Sequence, residues 1–547
     1  MPATRAGSRV GAWTWPMLAL AALTLLPVLA LAWLGTQGSA GLWQHLARHV
    51  LPQATLNTVL LLGGVGLLAG AIGAGSAWLV SAYRFPGRGV LAWALLLPLA
   101  VPTYIVAYSY VDLLHPLGPV QGAMRAMLGF DGPREWRLPD LRSLPLAIVV
   151  IALVLYPYVY LTTRALLSTQ SASLLEAGRA LGLTRRQVFW RLAMPLARPA
   201  LAVGVALVLL ETLNDIGASE FIGVQTLTTA IYTTWVSRSD LPGAAQIALA
   251  LLAMVLLLLA LERHGRRRQG YAGSSRRLRA MTPEPLAGMA GWRVTALCAL
   301  PVLFGFVLPA AHLLGETLQR LDGGGISPQL WRAALDTLRL ALAATVLTVL
   351  AGLLLAMGLR MAQQRRATTL PATAFRIATL GYALPGTVLA IGLMVALGWI
   401  DAARAGGTLL IGSSFALVLA YGLRFLTIAA GTLDAGYGRL PHSLDQAAAT
   451  LGAGAWQRAL RLHLPLLQPS LAAAALLVLV DAMKELPATL MLRPLGMETL
   501  ATWLYAEAAR GTYEEGAVAG LLIVAAGLLP VAWLARSGLQ PLEERVG

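Results

Sequence analysis

The sequence predicts an all-α polytopic membrane protein, with about twelve transmembrane helices arranged as two parallel six-helix repeats. Two observations lead to this fold class. Of the 547 residues, 57% are hydrophobic and only 12% are charged, which is too much apolar surface for a water-soluble domain to cover. A polar, arginine-bearing segment also occurs twice, each time between long apolar runs. The duplication divides the chain into two halves, and the apolar runs of both halves are suited to lie in a lipid bilayer.

Apolar segments of about 20 residues are long enough for a helix to cross a hydrocarbon core of roughly 30 Å. The first half has such segments at about 15–35, 58–83, 90–111, 144–163, 200–213 and 244–261. The second half has them at about 294–314, 338–359, 374–399, 409–432, 471–486 and 517–535. We therefore expect a first repeat over residues 1–262 and a second over residues 293–547. Between them, residues 263–292 are rich in Arg, Gly, Ser and Pro, which is typical of an irregular linker.

The placement of arginine predicts the orientation in the membrane. With both termini, the linker and the two duplicated segments in the cytoplasm, most of the 41 basic residues fall on the cytoplasmic side, as the positive-inside rule requires. This rule and the attraction of anionic lipid headgroups account for the net charge of +16, so no nucleic-acid partner is expected. The first apolar segment is too long for a cleaved signal peptide, and we expect an uncleaved span.

The duplicated segment reads EAGRALGLTRRQVFWRLAMPLARPAL over residues 176–201 and QAAATLGAGAWQRALRLHLPLLQPSL over residues 446–471. A constant offset of 270 residues aligns the two copies without a gap. In each copy we expect two short helices at an angle, because Gly182 and Gly452 are suited to end a helix in a left-handed conformation. Such a projection is suited to docking in a groove of a cytoplasmic partner. The alternative is a basic loop that rests on the lipid surface.

Two acidic residues lie near the end of the fifth apolar segment in each half. The same offset places Glu211 on Asp481 and Asp215 on Glu485, so each half carries a carboxylate pair at i and i+4. A charge within a membrane is costly and usually faces a cavity or a partner. These groups are therefore candidates for a negative vestibule that attracts a hard, highly charged cation. A structural role is the alternative, because Lys484 lies three residues after Asp481.

The sequence carries no recognisable catalytic motif. A phosphate-binding loop requires Gly-Lys followed by Ser or Thr, yet the only lysine of the chain is Lys484, in Asp-Ala-Met-Lys-Glu. None of the seven histidines has the spacing of a zinc or metalloprotease site, and the single Cys298 permits no disulfide framework. We expect no cofactor on this chain, and any hydrolysis of ATP must be carried out by a separate protein.

Both duplicated copies fit the spacing of the EAA loop of ABC importer permeases: Glu-Ala-Ala or similar, Gly, nine residues, an aliphatic residue, any residue, an apolar residue and Pro. The chain resembles the type I permeases of this class, with loops at about 168–199 and 438–469. The resemblance implies that the loops are coupling helices that dock on two copies of an ATP-binding subunit, which uses ATP and Mg²⁺. It assigns this coupling to Glu176, Ala177, Gly182 and Arg191, and to Gln446, Ala447, Gly452 and Arg461.

Segments outside the loops are similar to the fused two-half permeases of bacterial ferric iron importers. They include ETLNDIGA at 211–218, TTAIYTTW at 228–235 and MKELPAT at 483–489. The resemblance implies an inner-membrane permease that imports ferric iron by ATP-driven alternating access, supplied by a periplasmic binding protein of the ferric-binding type. Permeases for thiamine, sulfate, polyamines or aminophosphonates share the loop and remain alternatives. A secondary transporter would need a proton or sodium relay at mid-bilayer and would leave the paired loops unexplained.

Overall fold

The computed structural model describes residues 13–38, 41, 43–169, 180–267, 283–364, 369–404 and 409–538. These residues are almost entirely helical. Within the same ranges, the only sheet is a parallel pair of two-residue strands, β1 (Tyr83–Arg84) and β2 (Glu284–Pro285), which joins the end of the second span to the segment before the second half.

The first half begins with α1 (Thr14–Gly35) and α2 (Trp43–Ala82), and α2 contains one π-helical turn at Leu46–Val50. The remaining helices of this half are α3 (Arg88–Ala94), α4 (Thr103–Leu113), α5 (Pro119–Leu128), α6 (Leu144–Thr169), α7 (Met194–Asn214), α8 (Gly217–Phe221), α9 (Leu227–Tyr232) and α10 (Leu241–Arg267). Two helical turns, Arg185–Val188 and Phe189–Ala193, lead without a break into α7.

The second half begins with α11 (Gly288–Gly324) and α12 (Pro328–Gln364). The helices that follow are α13 (Thr369–Ala378), α14 (Gly386–Ala403), α15 (Ser414–Gly438), α16 (His442–Thr450), α17 (Trp456–Leu466), α18 (Gln468–Met483), α19 (Pro487–Leu492), α20 (Leu500–Arg510) and α21 (Tyr513–Gly538).

Ten helices among the described residues are long and apolar enough to cross a membrane. Two further candidates are helix pairs with a sharp bend. The pair Arg88–Ala100 and Thr103–Leu113 bends by 89°, and the pair Trp456–Leu466 and Gln468–Met483 bends by 73°. If each bent pair is one span, the total is twelve. Each apolar segment expected from the sequence has a helix or a bent pair at its position, which confirms the all-α, multi-span fold class.

The helices pack into two compact units, one formed by residues 1–40, 234–249 and 328–502 and the other by residues 41–233, 250–327 and 503–547. In the first unit, α1 packs against α13 and α14. In the second unit, α11 packs against α21. Each unit therefore combines most of one half of the chain with the first span of the other half. The repeat and linker boundaries expected from the sequence concern chain order and stay a prediction.

Equivalent glycines allow a close helix contact within each unit. A Cβ atom on Gly73 of α2 would lie 2.6 Å from the carbonyl oxygen of Tyr156 in α6, so a side chain there requires the helices to move apart. A Cβ atom on Gly352 of α12 would lie 2.8 Å from the Cβ of Ala429 in α15. The two halves thus repeat a helix contact that depends on a missing side chain.

Candidate functional site

The glycine turn expected in both duplicated loops is present. The φ angle is +84° at Gly182 and +80° at Gly452, in the left-handed region that residues with a Cβ rarely adopt. In the second copy, α16 ends in a Schellman arrangement, because Ala453 N donates to the Ala448 carbonyl at 3.0 Å and Gly452 N donates to the Ala449 carbonyl at 3.0 Å. The glycine sets the angle between the two helices of the loop.

A glutamine at the aligned position caps the second helix of each loop. In the first copy, Thr184 N donates to Gln187 Oε1 at 2.9 Å, and Gln187 N donates back to Thr184 Oγ1 at 3.3 Å. This reciprocal pair is a capping box. In the second copy, Gly454 N donates to Gln457 Oε1 at 3.2 Å. The two loops therefore share their local geometry as well as their spacing.

The tip of each loop presents an apolar side chain to its surroundings. Leu181 is 84% exposed and its aligned counterpart Leu451 is 87% exposed, each directly before the glycine turn. The two loops thus share an exposed leucine at the aligned position. The other residues assigned to coupling are also exposed: Arg191, Gln446, Ala447 and Arg461. Glu176 and Ala177 lie outside the described residues, and the coupling role of all eight residues stays a prediction.

The second loop is tied to its unit by a buried ion pair. Asp445, which is 3% exposed, accepts a hydrogen bond from Arg360 Nη2 at 2.9 Å, and its other oxygen lies 2.6 Å from His463 Nε2. Burial raises the pKa of Asp445, but the hydrogen bonds from His463 and Arg360 outweigh it, so the pKa lies below its usual value. Sequence reasoning missed this pair. The available signal was a basic residue, Arg360, near the end of the α12 span.

Asp215 closes the break that follows α7. The carboxylate is 7% exposed and accepts hydrogen bonds from Thr103 Oγ1 at 2.8 Å and from Ser219 N at 3.2 Å. It therefore caps the first turn of α8.

Glu485 has the equivalent role after α18, where it is 4% exposed and accepts from Ala488 N at 3.0 Å and Thr489 N at 3.1 Å. Arg424 Nη1 lies 3.1 Å from the same carboxylate, so a buried ion pair reinforces this cap. The helix-capping contacts give Asp215 and Glu485 a structural role.

Asp481 and Glu211 are less buried than these two residues. Asp481 pairs with Lys484 at 2.7 Å, and their side chains are 24% and 28% exposed. Glu211 is partly buried within α7. Near the end of α7, and again near the end of α18, the structure thus places one carboxylate that caps the following helix and one that is more accessible. A role of these four groups in the substrate pathway stays a prediction.

Threonines join the second span of each half to α9 or α20, the second helix after the break. Thr58 of α2 accepts a hydrogen bond from Leu227 N at 3.0 Å, and Thr337 of α12 accepts one from Leu500 N at 2.8 Å. A second threonine pair starts each of these helices, since Thr226 N donates to Thr229 Oγ1 at 2.8 Å and Thr499 N donates to Thr502 Oγ1 at 2.9 Å. The repeat therefore extends to individual hydrogen bonds.

The second unit also contains a polar cavity of about 570 Å³. Its titratable lining residues are Tyr108, Asp112, His115, Arg142, Glu220, Tyr505, Arg510 and Tyr513. The phenol of Tyr108 donates to the backbone carbonyl of Tyr513, and Tyr505 hydrogen-bonds to Glu220. Sequence reasoning did not find this site, because its residues come from distant parts of the chain.

The chain is similar to known transport proteins. The profile of one family, described as binding-protein-dependent transport system inner membrane component, matches residues 66–270 and 349–537. The Fe(3+)-transport system permease protein FbpB 2 of Haemophilus influenzae is 25% identical over 489 residues, which cover 89% of this chain and 90% of that protein. The ferric transport system permease protein FbpB of Actinobacillus pleuropneumoniae is 24% identical over 86% of this chain and 68% of that protein.

A third relative matches less than half of the chain. The sulfate transport system permease protein CysT of Escherichia coli is 30% identical over 249 residues, which cover 44% of this chain and 87% of that protein. The similarity to the two ferric permeases thus extends through both halves of the chain, whereas the similarity to the sulfate permease covers 44% of it.

The glycine turn of the second loop can be tested with a matched pair of substitutions. Gly452→Val places a β-branched residue at a positive φ, at a cost of about 1–3 kcal/mol, and should misorient the helix that follows. Gly454→Ala is the control, because an added Cβ meets nothing within 4 Å and its φ is ordinary. We expect the rate of substrate uptake to fall in Gly452→Val although the amount of the protein in the membrane stays normal. The rate should be unchanged in Gly454→Ala. Equal loss of protein and uptake would instead show a folding role.

The capping role of Glu485 predicts a loss of stability when its charge is removed. Glu485→Gln leaves Arg424 charged in a buried site, which should lower the free energy of unfolding by about 3–5 kcal/mol. Asp481→Asn removes a partly exposed pair and should cost at most about 1 kcal/mol. Melting temperatures of the purified variants test this difference. A wild-type melting temperature for Glu485→Gln together with lost transport would assign the residue to the substrate pathway instead.

Proposed function

Because the chain belongs to the family of binding-protein-dependent transport system inner membrane components, we propose that it is the membrane subunit of an ABC importer for ferric iron. The observation that carries the proposal is the similarity to a Fe(3+)-transport permease over 89% of this chain and 90% of that protein. In this role the chain moves the ion from the periplasm to the cytoplasm by alternating access. A periplasmic binding protein delivers the ion to it.

The fused architecture favours ferric iron over sulfate. The two ferric permeases match both halves of this chain, whereas the sulfate permease corresponds to 44% of it. The higher identity of the sulfate permease, 30%, concerns less than half of this chain. A substrate pathway is built by both repeats of such a permease, so similarity through both halves is the stronger guide to substrate.

Energy enters through the two duplicated loops, which dock on two copies of a separate ATP-binding subunit. Two observations support this docking. The glycine turns of the two loops have the same geometry, and a docked subunit would cover the exposed leucines, Leu181 and Leu451. ATP and Mg²⁺ are used by that subunit. The sequence of this chain has a single lysine, outside any phosphate-binding loop, and the chain itself acts as the transport subunit.

The orientation that places both loops on the side of the ATP-binding subunits also places both termini and the linker in the cytoplasm. The positive-inside rule supports this orientation, because most of the basic residues then fall on the cytoplasmic side of the membrane. The C-terminal ends of α4 and α11 then lie towards the periplasm.

Reconstituted uptake tests the proposal. The full chain is combined in lipid vesicles with its ATP-binding subunit and its binding protein, and the uptake of ferric iron and of sulfate is measured with and without ATP. We expect ATP-dependent accumulation of iron that sulfate does not compete with. Accumulation of sulfate without iron would show a different substrate, and accumulation without ATP would show a secondary transporter.

A further inference from the structure

Two helices of the second unit each present a pair of potential metal ligands one helical turn apart. Tyr108 and Asp112 lie at i and i+4 on α4, and His312 and Glu316 lie at i and i+4 on α11, so each pair shares one face of its helix. Donor atoms of Asp112, His312 and Glu316 all lie within 4.8 Å of one another. A cation with ligand distances of about 2.0–2.6 Å fits between donors at this spacing.

The hydrogen bonding of His312 leaves one ring nitrogen for a cation. His312 Nε2 lies 2.8 Å from Asp112 Oδ2, so with the proton on Nε2 the ring donates to this carboxylate. The lone pair of Nδ1 then remains, and Nδ1 lies 4.0 Å from Glu316 Oε1. A carboxylate that holds one nitrogen while the other binds metal is the usual arrangement of histidine ligands. Asp112 is thus a positioning residue, whereas His312 and Glu316 supply the donor atoms.

The cluster adjoins the polar cavity through Asp112. Asp112 is part of the lining of the 570 Å³ cavity, together with Tyr108, Tyr513 and Glu220. The Oε2 atom of Glu220 is buried and has no hydrogen-bond partner among the described residues, so the cavity offers a further carboxyl oxygen. Oxygen donors with negative charge suit a hard cation. The side chains of His312, Asp112 and Glu316 are 6%, 16% and 16% exposed, which limits competition from water while leaving a route of entry.

We propose that His312 and Glu316, with His312 positioned by Asp112, form a transit site for a hard trivalent cation on the periplasmic side of the permease. The inference rests on the proposed function, because that function makes ferric iron the substrate and sets the orientation. Two protein donors and water hold the ion loosely enough for it to move on, as a transport pathway requires. The site receives the ion from the binding protein before the ion enters the membrane.

A plain ion pair between α4 and α11 is the competing explanation. Under that explanation the contact between His312 and Asp112 stabilises the helix packing, and Glu316 contributes little because its oxygen lies 4.0 Å from the ring. Glu316→Gln therefore distinguishes the metal site from the plain ion pair. It removes a metal ligand under our proposal and leaves the contact between His312 and Asp112 intact under both.

The test measures binding of gallium(III), a trivalent ion without redox chemistry, and of ferric nitrilotriacetate to the purified full chain. Glu514→Gln is the matched control, because Glu514 is exposed and close enough to act electrostatically on Glu316 but is not a member of the cluster. We expect Glu316→Gln to weaken binding by at least about tenfold at an unchanged melting temperature. Glu514→Gln should bind as the wild type does.

The outcomes separate the site from the function. Wild-type affinity in Glu316→Gln, an equal loss in Glu514→Gln, or no binding by the wild-type chain would overturn the transit site. Iron uptake in vesicles by wild-type protein and by Glu316→Gln at the same rate would do so too, while leaving the proposed function intact. Uptake of sulfate instead of iron by the wild-type protein would overturn the proposed function itself.

Discussion

The structure depends on one constraint: backbone groups inside a membrane must find hydrogen-bond partners within the protein. Each half of the chain interrupts its helices after α7 or α18, where the constraint is hardest to meet. Asp215 and Glu485 satisfy the amide groups of the short helices that follow. Thr58 and Thr337 do the same for the next helices, α9 and α20, from a neighbouring span. Because these contacts recur in both halves, the breaks are built features of the repeat.

A buried ion pair anchors one of the two loops. The second loop is connected to α12 by the buried pair of Asp445 and Arg360, so a displacement of α16 is passed directly to a membrane-crossing helix. In the first copy the residues aligned with Asp445 and His463 are Leu175 and Ala193, which cannot form such a pair. The two copies therefore share their turn and their exposed leucine, but the residues of the ion pair in the second copy have apolar counterparts in the first.

The sequence predicted what depends on local or repeated patterns. Hydropathy located the spans, and the 270-residue offset aligned Gly182 with Gly452, whose left-handed turns the structure confirms. It did not predict contacts between distant residues, such as Arg360 with Asp445 or Asp112 with His312, because they depend on how helices pack. Nor did it reveal that α1 packs with helices of the second half. Spacing placed Asp215 and Glu485 at equivalent positions, but only the structure shows the amides that they cap.

The central claim is that one chain supplies both coupling loops of an importer and so binds two ATP-binding subunits. Native mass measurement of the complex purified from its own membranes tests this claim most directly. Our account predicts one copy of this chain with two copies of the ATP-binding subunit, since both loops have the same turn geometry and an exposed leucine. A stable assembly of this chain without an ATP-binding subunit, or with only one, would contradict it.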